Sequence, residues 1–210
     1  MPGNLYVIAA PSGAGKTTLV QALCKSMPDL RVSISCTTRP QRPGEKEGVD
    51  YYFIDKKKFD DMVADNQFLE HERVFDHFYG TPRQWVEEQI ETGNDVILEI
   101  DWQGARDVRQ LMPDRVVSIF ILPPAFSTLE NRLRGRGQDN EKTIRQRMQA
   151  ALNELSHYQD FEYLVINDDL DKALSELRKI IEYHRRGEKY PVPDWQDFAR
   201  NLIAEGGKIQ

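Results

Sequence analysis

The sequence predicts an α/β fold in three layers, with a mainly parallel central sheet between two layers of helices. Five apolar segments have the length of strands and are rich in β-branched residues, and helical periodicity fills the intervals between them. Several of these segments are apolar at nearly every position, which is typical of strands that are buried on both faces. Strands that alternate with helices favour the parallel arrangement.

The elements follow from these patterns in chain order. The predicted strands cover residues 5–9, 31–35, 95–100, 115–121 and 163–166. The predicted helices cover residues 17–25, 82–91, 105–111, 125–134, 141–155 and 170–183. A weakly amphipathic segment, 194–204, follows a proline-broken stretch and predicts a peripheral helix.

Two stretches interrupt the alternation of strands and helices. Residues 37–92 are polar and turn-rich, with short strands predicted at 49–54 and 68–74, and they indicate an inserted lobe. Residues 132–147 carry five arginines and indicate a mobile lid. We therefore predict one domain, 1–186, with a core (1–34, 93–125 and 156–186), an inserted lobe (35–92) and a lid (126–155). Residues 187–210 are predicted to be a C-terminal peripheral segment.

Composition excludes several classes of protein. The chain has 210 residues and a formal net charge of -6, which argues against a surface that binds a nucleic acid polymer. Its two cysteines, Cys24 and Cys36, have no metal-ligand spacing and favour a reducing compartment. The first apolar run, 5–10, is much shorter than the roughly 20 residues that span a bilayer. We therefore expect a cytoplasmic protein with no membrane role.

A phosphate-binding loop is predicted at residues 10–17, Ala-Pro-Ser-Gly-Ala-Gly-Lys-Thr, between a strand and a helix. Gly13 and Gly15 allow the backbone N–H groups to point at phosphate oxygens, beside the positive N-terminus of the helix. Lys16 can neutralise the β- and γ-phosphates, and the Thr17 hydroxyl can bind Mg²⁺. Ala10 replaces the glycine that usually begins this motif. The alternative is a glycine-rich turn without a ligand.

Two carboxylates, Glu99 and Asp101, lie two residues apart at the carboxyl end of a predicted strand, so their side chains point to the same side. Ligands bind at this end of the strands in an open α/β sheet. The alternative for Asp101 is a cap on the helix that follows.

Eight blocks of sequence together resemble the bacterial guanylate kinases, in order from Leu5 to about Tyr183. They are Ala10-Pro-Ser-Gly-Ala-Gly-Lys-Thr17, Ser35-Cys-Thr-Thr-Arg-Pro-Gln-Arg-Pro-Gly-Glu45, Asp50-Tyr-Tyr-Phe53, Phe68-Leu-Glu-His71, Tyr79-Gly-Thr81, Leu98-Glu-Ile-Asp-Trp-Gln-Gly104, Arg134-Gly-Arg-Gly137 and Val165-Ile-Asn-Asp-Asp169. The resemblance implies the three-layer fold of the P-loop NTPases with a GMP-binding lobe and a helical lid. It also implies reversible transfer of the γ-phosphoryl group of Mg-ATP to GMP or dGMP. One departure is Phe78, where the family often has a second tyrosine.

The resemblance implies an ATP site and a set of catalytic residues. The ATP site comprises Ala10, Pro11, Ser12, Gly13, Ala14, Gly15, Lys16, Thr17, Thr18, Arg132, Arg136 and Asn167, with Mg²⁺ held by Thr17, ATP and water. The catalytic residues are Lys16, Arg136, Arg147 and Asp101, of which the two arginines stabilise charge on the moving phosphoryl group. The alternative for the lid is an exposed pair of amphipathic helices. A turn or a helix cap explains Asn167 equally well.

The resemblance also implies a GMP site. It comprises Ser35, Arg39, Arg42, Tyr51, Glu70, Tyr79, Thr81, Glu99 and Asp101. Guanidinium groups bind phosphate oxygens in pairs of hydrogen bonds, which suits Arg39 and Arg42. The carboxylate of Glu70 can accept from guanine N1–H and N2–H₂, an edge that adenine does not offer. The alternatives are a solvated turn for the arginines, an apolar cluster for the tyrosines and a surface charge for Glu70.

Two rival functions remain at this point. A non-catalytic guanylate-kinase-like module that binds proteins would be expected to lose residues such as Lys16 or Arg39, yet both are present. A kinase for AMP, UMP or a ribose bisphosphate is disfavoured by Glu70 and Thr81. We expect ATP and GMP as the binding partners, and the sequence is compatible with a homo-oligomer.

Overall fold

The computed structural model describes residues 2–74, 76–135, 140–191 and 193–208. Its strands are β1 (Leu5–Ala9), β2 (Leu30–Val32), β3 (Cys36–Thr37), β4 (Tyr52–Phe53), β5 (Phe68–Val74), β6 (His77–Pro82), β7 (Asp95–Glu99), β8 (Val116–Leu122) and β9 (Tyr163–Ile166). Its helices are α1 (Lys16–Ser26), α2 (Lys56–Ala64), α3 (Arg83–Glu91), α4 (Trp102–Leu111), α5 (Phe126–Gly135), α6 (Glu141–Ser156), α7 (Leu170–Arg185) and α8 (Gln196–Lys208). A short 3₁₀ helix covers Tyr158–Asp160.

The larger sheet has five strands in the order β2-β7-β1-β8-β9. The pairs β2–β7 and β8–β9 are parallel. Every residue of β1 is buried, which explains why this segment is apolar throughout instead of at alternate positions. The prediction of an α/β fold with a mainly parallel central sheet is confirmed.

A smaller sheet has four strands in the order β4-β3-β6-β5. β6 is antiparallel to both β3 and β5, and its pairing with β5 places Glu70 opposite Thr81. A small apolar core of Cys36, Phe59 and Phe68 supports this sheet. The inserted stretch of the sequence therefore folds around a hydrophobic cluster of its own.

The chain divides into two compact units. The first contains residues 1–6, 29–98 and 103–116, including the four-stranded sheet. The second contains residues 7–28, 99–102 and 117–210, in which α1 packs on α7 and α6 packs on α5 and α8. The boundaries predicted for the core, the inserted lobe and the lid stay predictions.

Three elements of the first unit differ from the sequence prediction. Helix α2 was not predicted, because Phe59 is its only buried residue and its other positions are mostly charged. Asp55 caps this helix by accepting from the Lys58 N–H at 2.7 Å. Strand β6 was also missed, and β4 is limited to two residues of the predicted strand 49–54.

The last helix, α8, matches the helix predicted at 194–204 but extends further. It packs closely, since a Cβ added at Gly206 would lie 2.8 Å from side-chain atoms of Leu152 and Phe126. Glu205 accepts from the Phe126 N–H at 3.2 Å, at the start of α5. In the described part of the chain, no helix has both the length and the apolar character needed to cross a membrane.

Candidate active site

The phosphate loop connects the end of β1 to the start of α1, which is the structural context that its motif predicted. Gly13 and Gly15 have φ angles of 91° and 92°, in the left-handed region that favours glycine. Gly15 is the N-cap residue of α1, and the N–H groups of the first helical turn have no partner within the helix. Ala10, Pro11, Ser12 and Ala14 complete the loop, and Thr18 is an exposed residue of α1.

The side chains of Lys16 and Thr17 meet the carboxyl end of β7. Lys16 Nζ donates to the carbonyl oxygen of Ile100 at 3.3 Å. Thr17 Oγ1 donates to Glu99 Oε2 at 3.5 Å. Burial raises the pKa of Glu99, and the neighbouring Lys16 opposes that change. A cation, a hydroxyl and a carboxylate therefore lie together beside the loop.

Arg132 and Asn167, which were predicted to contact ATP, bind the backbone of the loop. Arg132 Nη1 donates to the carbonyl oxygens of Gly13 at 3.3 Å and Ala14 at 3.0 Å. Asn167, which is only 7% exposed, donates to the same Ala14 oxygen at 2.7 Å. Both side chains thus support the shape of the loop. Their contacts with ATP stay a prediction.

The remaining predicted catalytic residues are Asp101, Arg147 and Arg136. Asp101 immediately precedes α4, a position that suits a ligand contact as well as a helix cap. Arg147 is a half-buried residue of α6. Arg136 lies outside the described residues. Arg134 and Arg145 are exposed.

Sequence reasoning missed Glu154, a residue of α6 whose carboxylate reaches the phosphate loop. Glu154 Oε2 accepts from the Ser12 N–H at 3.0 Å. Burial raises the pKa of Glu154 to about 7, against the effects of the Ser12 N–H and of Lys16. No motif marks this residue. The available signal was its spacing of seven residues from Arg147 along a predicted helix, which places both on one face.

Arg39 is held in the first unit by a network of polar contacts. Its guanidinium group, 8% exposed, donates to the two carboxylate oxygens of Glu45 at 2.7 and 3.0 Å. It also lies 5.3 Å from the centre of the Tyr51 ring. The hydrogen bond from Arg39 lowers the pKa of Glu45. Glu45 is a second residue whose role sequence reasoning missed, although it lies in a block that resembles the family.

The other predicted phosphate ligands lie near this pair. Arg42 is exposed, and its backbone N–H donates to Glu45 Oε2 at 2.8 Å. Tyr51 and Tyr79 are half-buried and contact each other edge to face, with 5.9 Å between ring centres. The structure therefore brings Arg39, Arg42 and both tyrosines to one region, and their contacts with the phosphate of GMP stay a prediction. The solvated turn, the alternative interpretation of the arginines, does not describe Arg39.

Glu70 and Thr81 form a buried pair between β5 and β6. Thr81 Oγ1 donates to Glu70 Oε1 at 2.5 Å, and the two residues are 7% and 0% exposed. Burying a carboxylate costs free energy unless hydrogen bonds compensate. The alternative interpretation of Glu70 as a surface charge is therefore wrong. Ser35, the third predicted guanine-reading residue, is half-buried, and its carbonyl oxygen accepts from the Tyr52 N–H at 2.9 Å.

The donor set beside the loop fits a magnesium ion. The Thr17 hydroxyl and the Glu99 carboxylate are adjacent oxygen donors, the ligand type that Mg²⁺ prefers alongside phosphate oxygens and water. Within the described residues, no group of three or more His, Cys, Asp or Glu side chains could hold a metal ion. An ion at this site would therefore need further ligands from the nucleotide.

Comparisons with known proteins agree with this geometry. The family model of guanylate kinase matches residues 2–184. A guanylate kinase of Methylococcus capsulatus is 59% identical over 183 residues, covering 87% of this chain and 89% of that protein. One of Alcanivorax borkumensis is 55% identical over 202 residues, covering 96% and 97%. The crystal structure of guanylate kinase from Anaplasma phagocytophilum matches with a TM-score of 0.75 at 34% identity, covering 87% and 86%.

Proposed function

The chain belongs to the guanylate kinase family and is a phosphotransferase, and we propose that it moves the γ-phosphoryl group of Mg-ATP onto GMP or dGMP. The observation that carries the choice of acceptor is the buried pair of Glu70 and Thr81. ATP is assigned to the phosphate loop. GMP is assigned to the region around Arg39.

The loop holds the triphosphate through its backbone N–H groups and Lys16. The helix α1 adds the positive end of its dipole at the same place. Lys16 exchanges its contact with the Ile100 carbonyl oxygen for phosphate oxygens when ATP binds. Thr17 and Glu99, with phosphate oxygens and water, would hold Mg²⁺, which would supply positive charge to neutralise the phosphate oxygens.

The acceptor is bound by its phosphate and by its base. Arg39 and Arg42 bind the phosphate of GMP, with Tyr51 and Tyr79 as hydroxyl donors. The ion pair with Glu45 keeps the Arg39 guanidinium in one orientation before GMP arrives, which reduces the entropy lost on binding.

Glu70 provides the base specificity. Its carboxylate accepts from guanine N1–H and N2–H₂, while the hydroxyl of Ser35 donates to guanine O6. The Thr81 hydroxyl, which donates to Glu70 in the structure, turns to O6 when guanine supplies these donors to the carboxylate. AMP lacks the two donors that guanine offers to the buried carboxylate, and a site of this kind rejects such an analogue by roughly 10⁴-fold.

The transfer step needs alignment more than proton abstraction, because the attacking group is a phosphate oxygen of GMP. Asp101 and Glu99 orient the groups at the end of β7. Arg136 and Arg147 stabilise the charge that develops on the moving phosphoryl group, an effect worth roughly 10³- to 10⁵-fold in related phosphotransfer reactions.

A coupled assay of ADP release tests this function, with GMP, dGMP, AMP and UMP as acceptors. We expect turnover with GMP and dGMP and at least 100-fold lower kcat/KM with AMP and UMP. Activity with AMP but not GMP would overturn the proposal in favour of another nucleotide kinase. Binding of GMP with no turnover would favour a non-catalytic module.

We also propose a cytoplasmic location. Cys24 and Cys36 are both free thiols, and burial raises the pKa of each to about 11, so neither is prepared for disulfide exchange. Cell fractionation with a periplasmic marker checks this assignment.

A further inference from the structure

The last turns of helix α6 contact the phosphate loop through the carboxylate of Glu154. Glu154 lies 142 residues from Ser12 in the sequence, yet its Oε2 atom accepts from the Ser12 N–H at 3.0 Å. This bond uses one of the N–H groups of the loop itself. The site described above gives Glu154 no role in binding either nucleotide.

The charges around Glu154 explain why the carboxylate stays at the loop. Lys16 on α1 attracts it, while Asp101 before α4 repels it. Glu99, on the other side of Lys16, is a second partly buried carboxylate. A half-buried carboxylate requires a donor, and the Ser12 N–H of the loop supplies one to Glu154.

A second contact holds the same end of α6. His157, the C-cap residue that follows this helix, stacks on Trp102 with 3.4 Å between ring centres and an angle of 6° between the planes. Trp102 follows Asp101 directly. The C-terminal end of α6 is therefore attached both to the phosphate loop and to the segment that carries Asp101.

Helix geometry fixes the position of Arg147 relative to Glu154. Arg147 and Glu154 are seven residues apart, which is about two turns, so they lie on one face about 10 Å apart along the helix axis. A helix is rigid over this distance. Where Glu154 is held therefore decides where Arg147 lies with respect to the loop.

We propose that Glu154 is a positioning residue for phosphoryl transfer, which fixes helix α6 to the Ser12 N–H of the phosphate loop and so sets the placement of Arg147. Glu154 acts through Arg147 and contacts neither substrate. The inference rests on the proposed function, in which Arg147 stabilises charge on the moving phosphoryl group.

A matched pair of substitutions isolates the hydrogen bond. Glu154→Gln keeps an oxygen acceptor for the Ser12 N–H, whereas Glu154→Met has a similar volume and no such acceptor. We expect Glu154→Met to lower kcat by about 30-fold, with KM for GMP changed less than twofold. Glu154→Gln should retain kcat within about threefold of the wild type. The same two substitutions at Glu176, a half-buried carboxylate on α7, are the control and should leave kcat unchanged.

A double-mutant cycle with Arg147→Ala separates positioning from a general loss of structure. If Glu154 acts through Arg147, Glu154→Met lowers kcat by less than about threefold in the Arg147→Ala background. Circular dichroism and Tm establish that each variant is folded, and Glu154→Ala replaces Glu154→Met in the cycle if the latter does not fold.

Two results would overturn the inference. In the first, Glu154→Met lowers kcat by the same factor whether or not Arg147 is replaced by alanine. In the second, the Glu154→Gln variant is as slow as Glu154→Met. The wild-type enzyme serves to distinguish the two proposals. Absence of turnover with GMP in the wild type contradicts the proposed function, whereas an additive cycle in an active enzyme contradicts only the role of Glu154.

Discussion

The phosphate loop and the acceptor region around Arg39 are both assigned to phosphate groups, but they are built in different ways. The loop uses consecutive residues, and its binding groups are backbone N–H atoms shaped by Gly13 and Gly15. The acceptor region uses side chains that come from separate segments and are held by pairing with one another, as Arg39 is by Glu45. One site depends on backbone conformation and the other on side-chain partners.

This difference predicts that substitutions in the two sites impair the enzyme in different ways. A substitution in the loop acts on ATP through the shape of the backbone or through the charge of Lys16. A substitution in the acceptor region acts on GMP by leaving a buried partner unsatisfied, which costs more than removing both partners. The variants below test the comparison, in order of decreasing effect.

Lys16→Ala is expected to have the largest effect. It removes the one side-chain cation of the loop at the β- and γ-phosphates, and kcat should fall by about 10³-fold while the fold is retained. Steady-state kinetics with circular dichroism checks this. A folded variant with wild-type kcat would contradict the assignment of the loop.

Glu70→Ala should lower kcat/KM for GMP by about 100-fold, because two hydrogen bonds from guanine to a charged acceptor are lost. KM for ATP should stay nearly unchanged. Glu91→Ala, at an exposed position of α3, is the control. Equal effects on GMP and ATP would argue against base recognition by Glu70.

Gly15→Ala should raise KM for ATP by about 30-fold with little change in KM for GMP. The φ angle of 92° disfavours alanine, and the added Cβ would lie 2.6 Å from Asn167 Nδ2. Gly187→Ala is the matched control, because Gly187 has a φ of 72° but no atom within 4 Å of the added Cβ. If both variants lose ATP affinity equally, the contact with Asn167 does not shape the loop.

Glu45→Gln should raise KM for GMP by about tenfold, because Arg39 loses the carboxylate that orients it. The pair is 8% and 20% exposed. Asp60→Asn breaks the Lys56–Asp60 pair, which is 53% and 56% exposed, and should have no measurable effect. Isothermal titration with GMP measures both variants.

The two regions should also differ in their pH dependence. The Glu154 carboxyl has a pKa raised from 4.5 to about 7, so its contribution to stability is present below about pH 4.5 and is lost as pH rises through 7. Glu45 has a lowered pKa, so its contribution is present above pH 4.5 and is lost on acidification. As pH rises from 5 to 8, we expect the Tm of Glu154→Gln to increase relative to the Tm of the wild type. A constant difference in Tm would contradict the raised pKa.

Much of the phosphate loop could be predicted because its function resides in one contiguous segment. Glycines at fixed spacing, followed by Lys16 and Thr17, specify a turn whatever packs around it. The apolar strands were predicted for a similar reason, since burial on both faces leaves a continuous apolar run. Helix α2 was missed because its charged residues hide a single buried position, Phe59.

The partners of the site residues could not be predicted. In the sequence, Arg39 is equally consistent with a residue of a solvated turn, and Glu70 is consistent with a surface charge. Their burial and their pairing with Glu45 and Thr81 depend on strands that meet only in the folded protein. Glu154 is the extreme case, because its partner Ser12 is 142 residues away and no spacing rule connects them.

The sequence by itself therefore determined the fold class, the position of the phosphate loop and the kinds of side chain available for the acceptor. These depend on local periodicity and on contiguous motifs. The tertiary structure alone decided that Glu70 is buried against Thr81, that Arg132 and Asn167 support the loop backbone, and that Glu154 reaches Ser12. The physical reason is that hydrogen bonds and desolvation act over a few ångströms in space, whereas the residues that share them are far apart along the chain.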